Sequence, residues 1–304
     1  MIKNPPLVSV IMNCYNGGEF LYEAINSIYN QSYQNWEIVF WDNASTDNSA
    51  EITRSYDNRL RYFLAEDTTL LGEARNLALQ KASGKYVAFL DCDDLYLSGK
   101  LEKQVQLMEL SDYAMCYGSV VTIDKKGLEI RRNPVKHHSG YILKQLLEHY
   151  EINMQSVLVR RSVLTKDGFS FTTHLQYSPD YNLFMLISSK YKVGVLADYL
   201  AQYRILKNSL SSKTIDFASS EAKFTLDEIT RKNPELKKKY PLELMKAYAK
   251  AEYYDVVASI FKGDRYNAII KLKPILLVRY EYSIIFLLLL MQIPLKLILR
   301  ILNR

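Results

Sequence analysis

An α/β fold with a mostly parallel sheet, followed by a helical C-terminal region, is predicted by three observations. Short apolar runs alternate with amphipathic segments over the first 95 residues, three of those runs end in Asn13, Asp42 and Asp91, and the chain after about residue 216 turns lysine-rich and helical in pattern. Apolar runs separated by helical segments imply crossover connections, and crossovers imply parallel strands covered on both faces.

The elements follow in order. "LVSVIMN" (7–13) reads as a buried strand, "GGEFLYEAINSIYNQ" has apolar residues at helical spacing, and "NWEIVFWD" (35–42) is a second buried strand. "STDNSAEITRSY" opens on cap residues and runs into a helix, "LRYFLAE" is a third strand, "LGEARNLALQKA" an amphipathic helix, and "KYVAFLD" a fourth strand. In such sheets ligands bind beyond the C-terminal strand ends, where Asn13, Asp42 and Asp91 stand. From 96 to 215 the pattern is mixed. "SDYAMCYGSVVTID" suggests a strand or hairpin, "SGYILKQLLEHY" a helix, "MQSVLVRRSVL" a strand entering a short helix, and "SPDYNLFMLISSKY" a helix with Asp180 in its first turn. The expected division is therefore a domain over 1–215 and a helical region over 216–304. Within the latter, "KAYAKAEYYDVVASIFKGDRYNAIIKLKPIL" reads as a helical hairpin turning at Gly263-Asp264.

Composition narrows the class. With 304 residues, 48% hydrophobic and 24% charged, the chain can bury a core, and a disordered or fibrous chain is excluded. Cys14, Cys92 and Cys116 are odd in number, far apart in sequence and beside predicted strands, which argues against a disulfide framework or zinc site and for a reducing, cytoplasmic compartment. The N-terminus lacks the pattern of a signal peptide. Residues 231–304 carry fifteen Lys and Arg against six Asp and Glu, a local charge of +9 in a chain of net charge +6. Such a basic stretch calls for an anionic partner. "SIIFLLLLMQIPLKLILRIL" (283–302) is too interrupted to span a bilayer and reads as an interfacial helix with Lys296 and Arg300 reaching headgroups, so lipid is favoured over nucleic acid. The alternative is a helix packed on its own domain.

"FLDCDDLY" (89–96) ends a buried strand in Asp91, Asp93 and Asp94. Crowded carboxylates repel unless something offsets them, and magnesium or manganese takes one or two carboxylates and completes its shell with phosphates and water. A bare Asp-x-Asp is more often a solvated acidic turn capping the next helix.

The order Tyr15-Asn16, Ser27-Ile28 with Gln31-Ser32-Tyr33, Trp41-Asp42 with Ser45-Thr46-Asp47, Ala74-Arg75-Asn76, Gly84-Lys85-Tyr86 and Leu90-Asp91-Cys92-Asp93-Asp94 resembles glycosyltransferase family 2, nucleotide-sugar transferases of GT-A fold. The resemblance continues through "VLVRRSVL", "SPDYNLFMLI" and "YRILKNSLS" and covers roughly residues 7 to 212. It implies that Asp42 recognises the nucleotide base with help from Asn13, Tyr15 and Asn16. It further implies that Arg75 lies near the base or diphosphate, that Asp91 lies near ribose and metal, and that Asp93 ligates the metal. Asp94 reads equally as a supporting carboxylate or a helix cap. Asp180 matches the catalytic base, although Pro179 replaces the Glu that many members carry before it. Leu206 stands where relatives often have a histidine, which would leave Arg204 to contribute to diphosphate binding. Gln155 lies where some relatives have a glutamine near the sugar pocket.

The expected function is inverting transfer from a nucleotide sugar, a UDP-sugar with magnesium or manganese, to a lipid-linked or oligosaccharide acceptor at the cytoplasmic membrane face, in polysaccharide or glycoconjugate synthesis. Two rivals remain. A nucleotidyltransferase is disfavoured because "NCYNGGEF" lacks the basic residue of a phosphate loop, and a degenerate scaffold is disfavoured by the retained Asp42, Asp91, Asp93 and Asp180.

Overall fold

The computed structural model describes residues 4–206 and 209–302. It divides into two compact units, Met1–Leu143 with Glu151–Lys207, and Lys144–Tyr150 with Asn208–Arg304. The second unit thus includes a short piece that the sequence pattern places with the first.

The first unit is built on a nine-stranded sheet. Its strands are β1 (Val8–Cys14), β2 (Trp36–Asp42), β3 (Leu60–Leu64), β4 (Tyr86–Phe89), β5 (Leu95–Tyr96), β6 (Met115–Ile123), β7 (Glu129–Asn133), β8 (Leu158–Arg160) and β9 (Val193–Arg204). The order is β3-β2-β1-β4-β8-β6-β9-β5, with β7 paired to β6. The β3-β2-β1-β4 half is parallel, as the crossover pattern requires. β8 then runs antiparallel to both β4 and β6, so the second half is mixed.

The connecting helices are α1 (Gly18–Tyr29), α2 (Ser49–Arg54), α3 (Leu71–Gln80), α4 (Lys100–Glu109), α5 (Leu143–Glu148), α6 (Arg161–Thr165) and α7 (Pro179–Lys190). α1 buries Leu21, Ala24, Ile25 and Ile28, spaced as one helical face. They join Val8, Val10, Met12, Ile38, Phe40 and Tyr86 in one core cluster. Because both faces of β2 and β4 are covered, every residue of each strand is buried, which is why their sequences read as continuous apolar runs.

Three elements were not anticipated. α4 buries Lys100 and Gln104 beside Leu101, Val105 and Met108, so its inward face is not wholly apolar. β5 is two residues long. β9 is twelve residues long, but its pairing with β6 shifts register near Gly118 and Ser119, which breaks a simple alternation.

The second unit takes in all of α5 but its first residue, with α8 (Leu210–Lys213), α9 (Ala218–Lys232), α10 (Leu236–Lys239), α11 (Pro241–Phe261), α12 (Arg265–Ile275), α13 (Ser283–Leu290) and α14 (Leu295–Leu302). The expected hairpin is α11 and α12. Gly263 takes φ +79° at the turn, and the Asp264 carboxylate accepts the Asn267 N–H to start α12. The expected single helix over 283–302 is two short ones. Gln292 adopts φ +57° and Pro294 follows, while Arg265 donates to the Leu289 and Ile293 carbonyls at the break. Ile285, Leu289 and Ile298 pack with Val256, Ile260 and Leu272, whereas Ile284, Leu287, Leu290, Met291 and Leu297 are exposed. Among the described residues, no helix is long and apolar enough to cross a membrane. The side chain of Arg300 lies outside the described residues.

Candidate active site

The site forms where β1, β2 and β4 end side by side. Asn43 N–H donates to the Cys14 carbonyl at 2.8 Å and Leu90 N–H to the Ile11 carbonyl at 3.0 Å, so the three chain ends leave the sheet in register. The loops after β1 and β2 then lock together. Asn16, at φ +54°, accepts the Thr46 N–H at 2.8 Å and donates its own N–H to Ser45 Oγ at 3.0 Å, and Asp47 accepts the Gly18 N–H at 2.9 Å. Asn is among the few residues that take this left-handed conformation readily.

Asp42 is 1% exposed at the end of β2. One carboxylate oxygen accepts the Ser45 N–H at 2.8 Å and the other the Tyr62 hydroxyl at 2.7 Å. Burial, helped by this bond to Asp42, pushes the Tyr62 hydroxyl up to about 12. Asn13 presents a buried Nδ2 with no partner among the described residues, and Tyr15 is exposed.

Asp91 is held from two sides. Arg75, 4% exposed, reaches its Oδ1 at 3.1 Å, and Gln155 donates to its Oδ2 at 2.7 Å while accepting the Asp91 N–H at 3.0 Å. The rest of the α3 motif explains how Arg75 is aimed. Asn76 exchanges two hydrogen bonds with the Phe171 backbone, and a Cβ on Gly72 would lie 2.8 Å from the Thr172 carbonyl oxygen, so only glycine lets that segment approach. Gln155 sits in a 3₁₀ turn, Met154–Ser156, that Asn153 caps and α4 supports from below. Gln104 donates to the Ser156 carbonyl at 2.8 Å, and Lys100 Nζ contacts Gln104 Oε1 at 2.7 Å.

Asp93 and Asp94 differ sharply. Burial, then the neighbouring Asp91 charge, pushes the Asp93 carboxyl up to about 6, and among the described residues no ion pair or side-chain hydrogen bond holds it. Asp94, 1% exposed, accepts the Arg204 N–H at 2.7 Å, and burial pushes it well above the ordinary carboxylate range. It therefore braces β9 rather than facing solvent. Asp180 lies in the first turn of α7, directly after Pro179. Burial raises its carboxyl, the Arg75 charge opposes the rise, and Asp91 adds to it, which puts Asp180 within electrostatic reach of both.

Arg204 is turned inward. Its Nε donates to the Asp93 carbonyl at 2.8 Å, Nη1 to the Lys125 carbonyl at 3.1 Å and Nη2 to Glu23 at 2.8 Å, with its guanidinium 4.4 Å from the Phe20 ring centroid. All three guanidinium nitrogens are spent on protein, so its geometry is that of a residue positioning the Asp91–Asp94 loop. Sequence reasoning missed this role because an arginine near a strand end looks the same whether it faces in or out. Leu206 follows at the strand end, and residues 207 and 208 of the same motif lie outside the described residues.

A metal ion is implied by the sequence resemblance, and the donors present fit a shared shell rather than a closed cage. Among the described residues there is no cluster of three or more His, Cys, Asp or Glu able to hold a metal by itself. Asp93 is nevertheless a half-buried carboxyl beside a second carboxylate, raised by burial and by the Asp91 charge, and a divalent ion completed by phosphates needs no more than one or two such ligands.

Comparison with known proteins is consistent across sequence and structure. An uncharacterised glycosyltransferase of Haemophilus influenzae is 34% identical over 214 residues, 69% of this chain and 83% of that protein. The Escherichia coli enzyme WfgD, a UDP-Glc:alpha-D-GlcNAc-diphosphoundecaprenol beta-1,3-glucosyltransferase, is 29% identical over 209 residues, 68% of this chain and 80% of WfgD. The segment shared with three longer Rickettsia relatives is 29 to 34% of their length. Staphylococcus aureus TarS, solved with UDP-GlcNAc, superposes with a TM-score of 0.66 and 19% identity over 89% of this chain and 81% of that one, a match of GT-A fold. The model of glycosyl transferase family 2 matches residues 9–169, more than half of the sequence, and the chain belongs to that family.

Proposed function

We propose that the protein transfers a sugar from a nucleoside diphosphate donor, a UDP-sugar, to a hydroxyl of a lipid-linked glycan, with inversion at the anomeric carbon. The observation that carries this reading is Asp91, held by Arg75 and Gln155 just beyond β4, with Asp93 two residues on, Asp180 within electrostatic reach of Arg75 and Asp91, and Asp42 at the end of β2. The donor and acceptor classes are supported by the UDP-GlcNAc complex of TarS and by the diphosphoundecaprenol acceptor in the name of WfgD.

Each residue takes a role its geometry allows. Asp42 keeps a free lone pair on each braced oxygen and can read a base, with Asn13 at the end of the neighbouring β1 strand and Tyr15 and Asn16 in the loop that follows it. Asp91, fixed by Arg75 and Gln155, faces the ribose. Asp93 would hold magnesium or manganese together with the donor phosphates, and the ion would neutralise charge on the departing diphosphate. Asp180 accepts the proton of the attacking hydroxyl as the new C–O bond forms opposite the breaking one. Its raised carboxyl makes it a better proton acceptor than an exposed aspartate.

The exposed apolar residues of α13 and α14, in a region of local charge +9, support a place on the cytoplasmic membrane surface, where a lipid-linked acceptor is concentrated. The test is nucleoside diphosphate release from a panel of nucleotide sugars, with manganese or EDTA and a membrane lipid extract, by wild type and Asp93→Ala. Release from one donor that needs metal, extract and Asp93 is expected. Release that is indifferent to all three would overturn the reading.

A further inference from the structure

Cys14 and Cys92 are 78 residues apart in sequence and meet in the fold. The β1-β4 ladder pairs Val8 with Tyr86 and Ile11 with Phe89, and the same offset carried past the strand ends brings Cys14 opposite Cys92. Side chains of register partners in neighbouring strands point to the same side of the sheet. Cys14 Sγ donates to Ser49 Oγ and Cys92 Sγ to the Asn13 carbonyl, each at 3.3 Å, and both sulfurs crowd Gly17, where a Cβ would lie 3.0 Å from the Cys14 sulfur and 3.4 Å from the Cys92 sulfur. Both residues are buried, and both belong to the core cluster beneath the site. Cys92 is also the residue between Asp91 and Asp93, and Cys14 precedes Tyr15.

We propose that Cys14 and Cys92 form an oxidisable dithiol in the floor of the site, which a small peroxide converts to an intramolecular disulfide. Neighbouring strands lie about 4.8 Å apart, within the Cα separation of about 4.4–6.8 Å that a disulfide bridges. The sulfur of one cysteine attacks a peroxide oxygen, the O–O bond breaks, and the thiol proton leaves with the displaced oxygen as water. The second sulfur then attacks the resulting sulfenic acid, the S–S bond forms, the S–O bond breaks, and a second water carries off the hydroxyl and the remaining thiol proton. Two electrons pass to each peroxide. The bond would tie the backbone between Asp91 and Asp93 to the loop that follows β1. Its consequence, weakened binding of nucleoside diphosphate, rests on the function proposed above, whereas the dithiol itself does not.

The test treats the whole protein with hydrogen peroxide and maps its peptides. Trypsin leaves Cys14 in residues 4–54, Cys92 in 86–100 and Cys116 in 104–125, so the pairing can be read directly. The expected product is peptide 4–54 joined to 86–100 with the loss of two hydrogens, formed equally in Cys116→Ser and reversed by dithiothreitol. Cys14→Ser and Cys92→Ser should lack it. Peptides that stay separate, with the thiols intact or each oxidised singly to sulfinic acid, would overturn the proposal, and this readout needs no variant to fold. Titration with uridine diphosphate before and after oxidation separates the two ideas. Binding lost on cross-linking and restored by dithiothreitol supports the dithiol as a control on the site, while a cross-link in a protein that binds no nucleotide even when reduced supports the dithiol and overturns the nucleotide reading.

Discussion

Gln155 meets Asp91 twice, accepting its backbone N–H at 3.0 Å and donating to its carboxylate at 2.7 Å. One neutral side chain thereby fixes both the backbone and the charged group of the residue that begins the Asp91–Asp94 cluster. Gln155 is 2% exposed, so neither bond is readily replaced by water.

Gln155→Ala should lower stability by about 1–3 kcal/mol, the cost of leaving buried polar groups without partners, and weaken uridine diphosphate binding. Gln155→Glu should weaken binding further, because it sets a second carboxylate against Asp91. Urea denaturation and calorimetric titration on the same preparations measure both effects.

Arg204→Met should destabilise the protein by about 3 kcal/mol, since it removes a buried cation that joins Glu23, the Lys125 carbonyl and the Asp93 carbonyl. Arg204→Lys should recover only part of this, because one ammonium cannot reproduce the fork. Thermal melts check the order wild type, Lys, Met.

Lys100 gives the protein a pH dependence of known sign. Burial lowers its ammonium from 10.5 to about 7, so between those values the unfolded chain binds the extra proton and stability rises with pH. The rise should flatten from about pH 9, where thiols such as Cys116, held up to about 12 by burial, begin to ionise in the unfolded chain, and end by about pH 10, where tyrosines such as Tyr62 do the same. Lys100→Met should reduce the slope between about pH 7 and 10, leaving the part that Lys250, lowered by burial to about 8, contributes, as read by urea denaturation across that range.

Replacing Ile284, Leu287 and Leu290 together with serine should weaken binding to anionic lipid vesicles without lowering the thermal midpoint of the first unit, because these side chains are exposed while Ile285 and Leu289 carry the packing. Flotation with vesicles of phosphatidylglycerol at two salt concentrations measures it. Lys296→Glu should act in the same direction by removing a cation near the surface.

The parallel half of the sheet was legible because covered strands must be apolar along their whole length and the intervening helices bury one face each. Asp42 and Asp91 could be placed at strand ends for the same reason. The rest depended on contacts between segments distant in sequence. Nothing near Arg204 says that its guanidinium points to the Asp93 carbonyl, and nothing near Cys14 says that Cys92 lies beside it. α4 escaped notice because Lys100 and Gln104 fill core positions that a hydrophobic pattern expects to be apolar. The leucine-rich tail was read as one helix because its composition is uniform, whereas Gln292 and Pro294 divide it and Ile285, Leu289 and Ile298 anchor it to the second unit.

The central claim, that Asp180 takes the acceptor proton in sugar transfer, is tested most directly by comparing wild type and Asp180→Asn for turnover of the donor found in the panel, with uridine diphosphate affinity measured in parallel. Loss of turnover by at least about 100-fold with affinity retained is the predicted result, along with wild-type turnover that falls at low pH with a midpoint above the ordinary aspartate value of 3.8. Turnover by Asp180→Asn equal to that of wild type would contradict the account.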